Sequence, residues 1–185
     1  MRRPERVPAS DSLLSQMPIL NFELPLQEHS NWCWAAVTAA IVHFFTPESQ
    51  VRQCGIAHDE LDLRCCEDPE RKCNQVHRLQ LPLARIGRLR GQQKQGVLSF
   101  NEIREEIDAG RPICVRVGWN GGGGHFVVIS GYDVLPKMGE VVIIDDPQAG
   151  QSRLTYDAFL SRYRKSGSWT HTYPLKGRAR ASAGN

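Results

Sequence analysis

The sequence predicts an α+β protein, with a helical first half and a second half that forms an antiparallel sheet. A long apolar run that begins at Cys33 and is closed by Thr46 and Pro47 predicts the central helix of the first half. Short β-branched runs, separated by glycines or turn residues, follow residue 112 and predict the strands. With 185 residues, of which 41% are hydrophobic and 23% charged, the chain is long enough for one well-cored domain.

This domain is predicted to span residues 19–175. Residues 1–18 are polar and contain prolines, and residues 176–185 show no apolar periodicity. We therefore expect both ends to be disordered tails. The chain contains no internal repeat.

The charge balance does not point to nucleic acid or to a membrane as the partner. The 23 Lys and Arg residues nearly balance the 20 Asp and Glu residues, for a formal net charge of +3. No segment approaches the roughly twenty apolar residues of a transmembrane helix, and residues 1–6 lack the apolar core of a secretory signal. We expect a soluble monomer, whose export would depend on another kind of signal.

The position of Cys33 is the first indication of chemistry. The run that follows it is apolar on every face, so the helix is predicted to be buried. Ser30 and Asn31 are candidate N-cap residues, which would place Cys33 in the first turn. Free N–H groups and the positive end of the helix dipole favour a thiolate there. Buried cysteines are more often structural than catalytic, so the assignment of Cys33 as a nucleophile depends on its companions.

Four more cysteines lie in the loop-rich stretch after this helix: Cys54, Cys65, Cys66 and Cys73. The sequence leaves two disulfides, reduced structural cysteines or a zinc site open, and four cysteines allow three pairings. His58 and His77 each follow a cysteine by four positions, as zinc ligands can. Adjacent cysteines are unusual in a closed tetrahedral site, and we expect no metal.

A second helix and the strands follow an ambiguous segment at residues 79–90. Ser99 and Glu102 have capping-box spacing, Ile103 and Ile107 share one face, and Gly110 ends the helix. The strands are predicted at residues 113–117, 125–129, 141–144 and 169–173.

His125 is the candidate base for the thiol, since it opens a strand directly after the glycines at 121–124. Asp146, at the end of the next β run, is the candidate acceptor that orients the imidazole. An antiparallel hairpin would bring the two together, and Pro147 favours an extended conformation at Asp146. Asp145 is the rival, because a shift of one residue in register exchanges the two faces.

Three further positions complete the predicted site. The Gln27 side-chain amide and the backbone N–H of Cys33 are candidate donors to the oxyanion of a tetrahedral acyl intermediate. Gly123 and Gly124 are predicted to form a flexible wall that binds substrate, because neither the lysine nor the helix start of a phosphate-binding loop follows them. Trp119 is either an aromatic residue of the sheet or the floor of a substrate groove.

This set of residues resembles the papain-like cysteine proteases. The order of Gln27, Cys33, His125 in Gly-His-Phe-Val-Val-Ile, and Asp146 before proline is most similar to bacterial effector proteases of the avirulence type. It is also similar to the double-glycine leader peptidases of bacteriocin exporters. The resemblance covers residues 26–150. His125 follows the cysteine sooner than in papain-type enzymes, which implies a compact domain.

The resemblance implies a papain-like fold, in which a buried nucleophile helix packs on an antiparallel sheet. It implies that Cys33 attacks, Gln27 forms the oxyanion hole, His125 acts as base and then acid, and Asp146 orients His125. The function implied is a cysteine endopeptidase without a cofactor that acts on a protein or peptide, as a bacterial effector or toxin exported by a dedicated system. Acyl transfer without cleavage, as in a deamidase, transglutaminase or isopeptidase, and a non-catalytic zinc-binding or interaction module are the alternatives.

Overall fold

A computed structural model describes residues 18–178 of the chain. Of the two predicted tails, residue 18 and residues 176–178 lie within this range, and residues 1–17 and 179–185 lie outside it. Within it, none of the helices is both long and apolar enough to cross a membrane. The elements in chain order are α1 (Cys33–Phe45), α2 (Gln53–Leu61), a short π-helical turn (Pro69–Cys73), α3 (Gln80–Arg85), β1 (Lys94–Gln95), α4 (Phe100–Asp108), β2 (Ile113–Trp119), β3 (Gly124–Leu135), β4 (Gly139–Asp146), β5 (Gly150–Thr155), α5 (Tyr156–Ser161) and β6 (Gly167–Tyr173).

The α+β prediction is confirmed, and the strands form one antiparallel sheet in the order β1-β6-β2-β3-β4-β5. We call residues 19–89 the helical half and residues 94–175 the sheet half. β3 and β4 form the expected hairpin, but they extend past Ile129 and leave a short turn. The β5 strand, which follows this hairpin, was not predicted as an element.

Helix α1 begins at Cys33, as predicted, but its cap differs from the prediction. Trp32 is the N-cap residue and no side chain caps the helix. The Asn31 side chain instead donates to the backbone oxygen of Asn74 at 3.0 Å, and its backbone N–H donates to the Asn74 side chain at 2.9 Å. Ser30 also contacts the Asn74 side chain. The predicted caps are therefore wrong, because both polar residues bind a neighbouring segment.

The sheet separates two apolar cores. Side chains alternate between the faces of a strand, so Phe126 and Val128 of β3 pack with α1 in the first core. Val127 and Ile129 face the second core, together with residues of α4 and α5. The capping box at Ser99 is present and starts α4 as predicted.

The four cysteines of the helical half form two disulfides. Cys54 bonds to Cys66 with an S–S distance of 2.08 Å, and Cys65 bonds to Cys73 at 2.03 Å. Among residues 18–178, no group of three His, Cys, Asp or Glu side chains is placed to hold a metal ion. The cysteines considered for zinc are thus cross-links in this structure.

Candidate active site

Cys33 is the first residue of α1 and carries a free, partly exposed thiol. It borders a cavity of about 260 Å³ between the two halves of the molecule. The helical half contributes Ser30, Asn31, Cys33, Trp34, Val76 and His77 to the lining, and the sheet half contributes Arg116, Trp119, Gly123, Gly124, His125, Phe126 and Gln148. We call this cavity the cleft. A thiol at a helix start that opens into a cleft has the position required of a nucleophile.

His125 lies near the start of β3 and is 2% exposed. Its Nε2 atom is 2.7 Å from Oδ1 of Asp146, and the ring lines the same cleft as the Cys33 thiol. Burial lowers the pKa of His125, but its hydrogen bonds and its attraction to Asp146 and Cys33 outweigh burial and raise the pKa to about 9. The imidazole is therefore protonated at neutral pH, which is the form that stabilises a neighbouring thiolate.

Asp146 ends β4 and is 1% exposed. Besides the bond to His125, it accepts hydrogen bonds from the Tyr163 hydroxyl at 2.6 Å and from the Gln148 backbone N–H at 2.7 Å. Arg164 approaches the second oxygen at 3.5 Å. Burial raises the pKa of Asp146, but its hydrogen bonds and the charge of His125 prevail and lower the pKa to about 2. The carboxylate is thus ionised and held in place by several donors.

Asp145, the rival carboxylate, faces the opposite side of the sheet. It pairs across the ladder with Val128, whose side chain belongs to the α1 core. One oxygen accepts a hydrogen bond from the Gln151 side chain at 3.0 Å, and the other is buried without a partner among the described residues. Burial raises the pKa of Asp145. The register of β4 therefore gives His125 its bond to Asp146.

A family model for the Peptidase_C39 like family matches residues 19–174, which include every helix and strand of the structure. The chain belongs to the Peptidase_C39 like family. This match confirms the resemblance to papain-like cysteine proteases and indicates a cysteine peptidase. No curated protein matches the chain.

Gln27 of this family member lies in the turn before α1. Its Nε2 donates to the backbone oxygens of His29 and Ser30, both at 2.8 Å. Its side-chain oxygen is buried and has no partner among the described residues. The Gln27 backbone N–H donates to the Pro147 oxygen at 2.7 Å, which ties this turn to the end of β4. The amide predicted to bind an oxyanion thus contacts the backbone beside Cys33.

Trp119, Gly123 and Gly124 all line the cleft of this C39-like protein. The Trp119 ring stacks on His125 with centroids 6.2 Å apart and on Tyr163 at 6.3 Å. Trp119 is thus a residue of the sheet that also lines the cleft, and its contact with substrate stays a prediction.

The sequence prediction missed Tyr163 and the segment around Asn74. Tyr163 precedes β6 and has no motif that indicates contact with Asp146. The other wall is fixed by the indole N–H groups of Trp32 and Trp34, which donate to the backbone oxygens of Cys73 at 2.7 Å and Gln75 at 3.0 Å. The two tryptophans on either side of Cys33 were the available indication that another segment covers the helix start.

Proposed function

We propose that the protein is a cysteine endopeptidase that hydrolyses peptide bonds of a protein substrate through a thioester on Cys33. The observation that carries the proposal is that the Cys33 thiol and the hydrogen-bonded pair of His125 and Asp146 meet at one open cleft. Family membership supports the same class of chemistry. The protein requires no cofactor for this reaction.

The proposed reaction begins with attack of the Cys33 thiolate on the carbonyl carbon of the scissile bond. The carbonyl oxygen becomes an oxyanion, which accepts hydrogen bonds from the Cys33 backbone N–H and from Gln27. Protonated His125 gives its proton to the leaving amine as the C–N bond breaks. Neutral His125 then takes a proton from water as the water oxygen attacks the thioester, which releases the acid and regenerates Cys33.

The oxyanion role of Gln27 requires one of its N–H groups to turn from a backbone oxygen toward the substrate. The unpartnered Gln27 oxygen supports this step, because no hydrogen bond to that atom opposes rotation of the amide. Catalytic hydrogen bonds are often formed only with substrate in place. Gln27→Ala is expected to reduce kcat ~100-fold or more, as loss of an oxyanion donor does in other enzymes.

The two free cysteines provide a direct test of the nucleophile. Cys33 is partly exposed in the cleft, whereas Cys114 is fully buried in β2, where burial raises the pKa of its thiol. We expect an epoxide probe of active-site thiols to label Cys33 in the wild type and in Cys114→Ala, and to label no site in Cys33→Ala. Proteome-wide comparison should show new peptide termini with the wild type only. Cleavage by Cys33→Ala would overturn the proposal.

The adjacent carboxylates provide the matched test of the orienting residue. Asp146→Ala should reduce kcat strongly, but less than Cys33→Ala, because the thiol and the oxyanion donors remain. Asp145→Ala removes a carboxylate from the opposite face of the sheet and should leave a higher kcat than Asp146→Ala. The reverse ranking would assign the role to Asp145. Intact products heavier by about one mass unit would indicate deamidation instead of hydrolysis.

The two disulfides support a place of action in an oxidising compartment, because such bonds are rare in the reducing cytosol. We infer that the protein is exported before or as it becomes active. Alkylation of free thiols in freshly isolated protein, followed by mass spectrometry, should modify Cys33 and leave Cys54, Cys65, Cys66 and Cys73 in their two bonds. Full alkylation of those four would contradict export to such a compartment.

A further inference from the structure

Arg116 is the charged residue of the cleft whose purpose the proposed reaction leaves unexplained. It lies in the middle of β2, opposite Phe126 of β3 and His171 of β6. Its side chain is half-buried and lines the same cleft as Cys33 and His125. An arginine in this place is close to any peptide bound across the thiol.

The guanidinium of Arg116 is held in a defined position. It donates to the Thr170 hydroxyl at 3.1 Å and to the Gly123 backbone oxygen at 3.0 Å. A Cβ atom at Gly124 would lie 2.6 Å from its central carbon, and one at Gly118 would lie 3.3 Å from a guanidinium nitrogen. The absence of side chains at both glycines therefore makes room for this arginine. Such preorganisation lowers the entropic cost of binding a ligand.

This arginine also lacks a counter-ion within the described part of the chain. No Asp or Glu oxygen of residues 18–178 comes within 4.0 Å of its guanidinium, whereas Arg90 and Arg111 both pair with Glu106. Two of its five N–H groups have acceptors among these residues. The remaining donors match the two oxygens of a carboxylate, the partner that arginine binds in a bidentate manner.

The charges around the cleft agree with an anionic ligand. The residues that line it include Arg116 and His125, and none of them is Asp or Glu. Asp146 is buried behind His125, and its negative charge is paired with His125 and Arg164. Beside the opposite wall, Glu60 is paired with His77 and Arg85, and Glu70 is bound by His29 and Asn74. A cleft with positive groups and no carboxylate on its surface attracts acidic peptides.

We propose that Arg116 binds a carboxylate of the substrate, so that the peptidase selects a peptide with an acidic group beside the scissile bond. The proposal rests on the proposed function and names its substrate class. The carboxylate comes from an Asp or Glu side chain or from the C-terminus of a peptide, and both would accept the same bidentate hydrogen bonds. Arg116 is thus a specificity-determining residue, and it also supports the wall of the cleft through its bond to Gly123.

The test compares peptides that differ only in Glu against Gln at positions flanking a mapped cleavage site. A charge-assisted pair contributes about 1.5–3 kcal/mol, so the wild type should prefer the Glu peptide by ~10- to 100-fold in kcat/KM. Arg116→Gln should bring this ratio close to one. Because the ratio is measured within each variant, a general loss of activity or stability cancels. Equal ratios in the wild type and Arg116→Gln would overturn the proposal.

Two further variants separate charge recognition from other effects. Arg116→Lys keeps the charge but loses the planar fork, so it should retain an intermediate preference for Glu. Arg153→Gln removes an exposed arginine from β5, three strands away from β2, and should keep the full wild-type ratio. A ratio lowered equally by Arg153→Gln would show that overall charge, not Arg116, sets the preference, and would overturn the proposal.

The two sources of the carboxylate are distinguished by peptide ends. Each peptide is made with a free and with an amidated C-terminus, with the Glu or Gln held constant. A preference in kcat/KM for the free over the amidated C-terminus that is lost in Arg116→Gln would identify a terminal carboxylate as the group bound. A preference for Glu over Gln that is lost in Arg116→Gln would identify a side chain. Absence of both in the wild type would contradict the proposal.

A binding experiment keeps this proposal separate from the failure of the proposed function. Fluorescence anisotropy of labelled Glu and Gln peptides is measured with Cys33→Ala and with the double variant Cys33→Ala/Arg116→Gln. Tighter binding of the Glu peptide by Cys33→Ala, lost in the double variant, supports carboxylate recognition even if the wild type cleaves no peptide. Cleavage by the wild type with no difference between the peptides in either assay refutes the role of Arg116 alone.

Discussion

The two halves of the molecule are stabilised in different ways. The sheet half joins its strands by antiparallel pairing and encloses a second core beneath α4 and α5. The helical half has one long buried helix, two short helices and two disulfides. Backbone pairing and apolar burial stabilise the sheet half. The helical half is stabilised in addition by disulfides, which restrict the conformations of its unfolded chain.

This difference bears on the candidate site, because the site lies between the halves. Cys33 belongs to the helical half, and His125 and Asp146 belong to the sheet half. The pair in the sheet half is already fixed by several hydrogen bonds. The position of the thiol depends instead on the segment near Asn74 that lies against the start of α1. The cross-linked half is thus the one whose loosening should disturb catalysis first.

The largest expected effect comes from the core of the sheet half. Phe159 of α5 is fully buried and lies 5.4 Å, between ring centroids, from both Trp169 and Tyr163. Phe159→Ala should lower the free energy of unfolding by about 3–5 kcal/mol, because it removes apolar burial and leaves a cavity. Urea denaturation should show the same loss with and without reductant. If the loss of unfolding free energy in Phe159→Ala depended on reductant, the core of the sheet half would not be independent of the disulfides in the helical half.

Removal of a cross-link should have the next largest effect. Replacing Cys65 and Cys73 by serine opens a loop with a sequence separation of 8 and should cost about 2–3 kcal/mol. Hydrogen exchange should increase more in α1 than in β3. The matched variant replaces Cys54 and Cys66, and it should reduce kcat/KM less, because Cys73 itself accepts the indole bond of Trp32. Equal losses of activity would contradict the role assigned to the segment.

The titration of His125 and Asp146 should make the free energy of unfolding depend on pH. The pKa of His125 is raised from 6.5 to about 9, so its contribution is complete below pH 6.5 and is lost as the pH rises through 9. The pKa of Asp146 is lowered from 3.8 to about 2, so its contribution is lost as the pH falls from 4 toward 2.

We expect the free energy of unfolding to fall by on the order of 2 kcal/mol between pH 6.5 and 9. Asp146→Asn removes the charge that raises the pKa of His125 and should flatten this fall. Urea titrations of both proteins across this range provide the measurement. If the free energy of unfolding of Asp146→Asn falls as steeply with pH as that of the wild type, the charge of Asp146 is not what raises the pKa of His125.

The smallest effect is expected at the start of α4, away from the site. The Ser99 hydroxyl caps this helix by accepting from the Glu102 backbone N–H. Ser99→Ala should lower the free energy of unfolding by about 1 kcal/mol, as is typical for loss of an N-cap. Ser161→Ala, at an exposed helix end, serves as the control and should change stability by less. Thermal melts of the two variants would test this ranking.

The elements that sequence analysis predicted correctly depend on local patterns. The apolar run after Cys33, the capping box at Ser99 and the β-branched runs are properties of a few consecutive residues. The short helices α2 and α3 were not predicted, since the cross-linked stretch lacks a strong apolar period. Asn31 was predicted as a cap because capping is the local use of such a residue, but Asn74, more than forty positions away, binds it instead.

The candidate site divides in the same way. The positions of Cys33, His125 and Asp146 follow from a helix start, a glycine turn and a hairpin, which the sequence indicates. Contacts set by tertiary packing were not predictable, and they include the Tyr163 bond to Asp146 and the place of Arg116 beside the cleft. The pairing of the cysteines was open for the same reason, because loop closure alone does not choose among partners.

Adjacent Cys65 and Cys66 belong to different disulfides, and this has a consequence for maturation of the chain. Exchange of their partners would alter each closed loop by a single residue, so chain entropy scarcely separates the native isomer from the swapped one. The two residues differ in environment instead, since Cys65 is fully buried and Cys66 is exposed. Burial of Cys65 in the core around α1 is therefore the feature that distinguishes the native isomer from the swapped one.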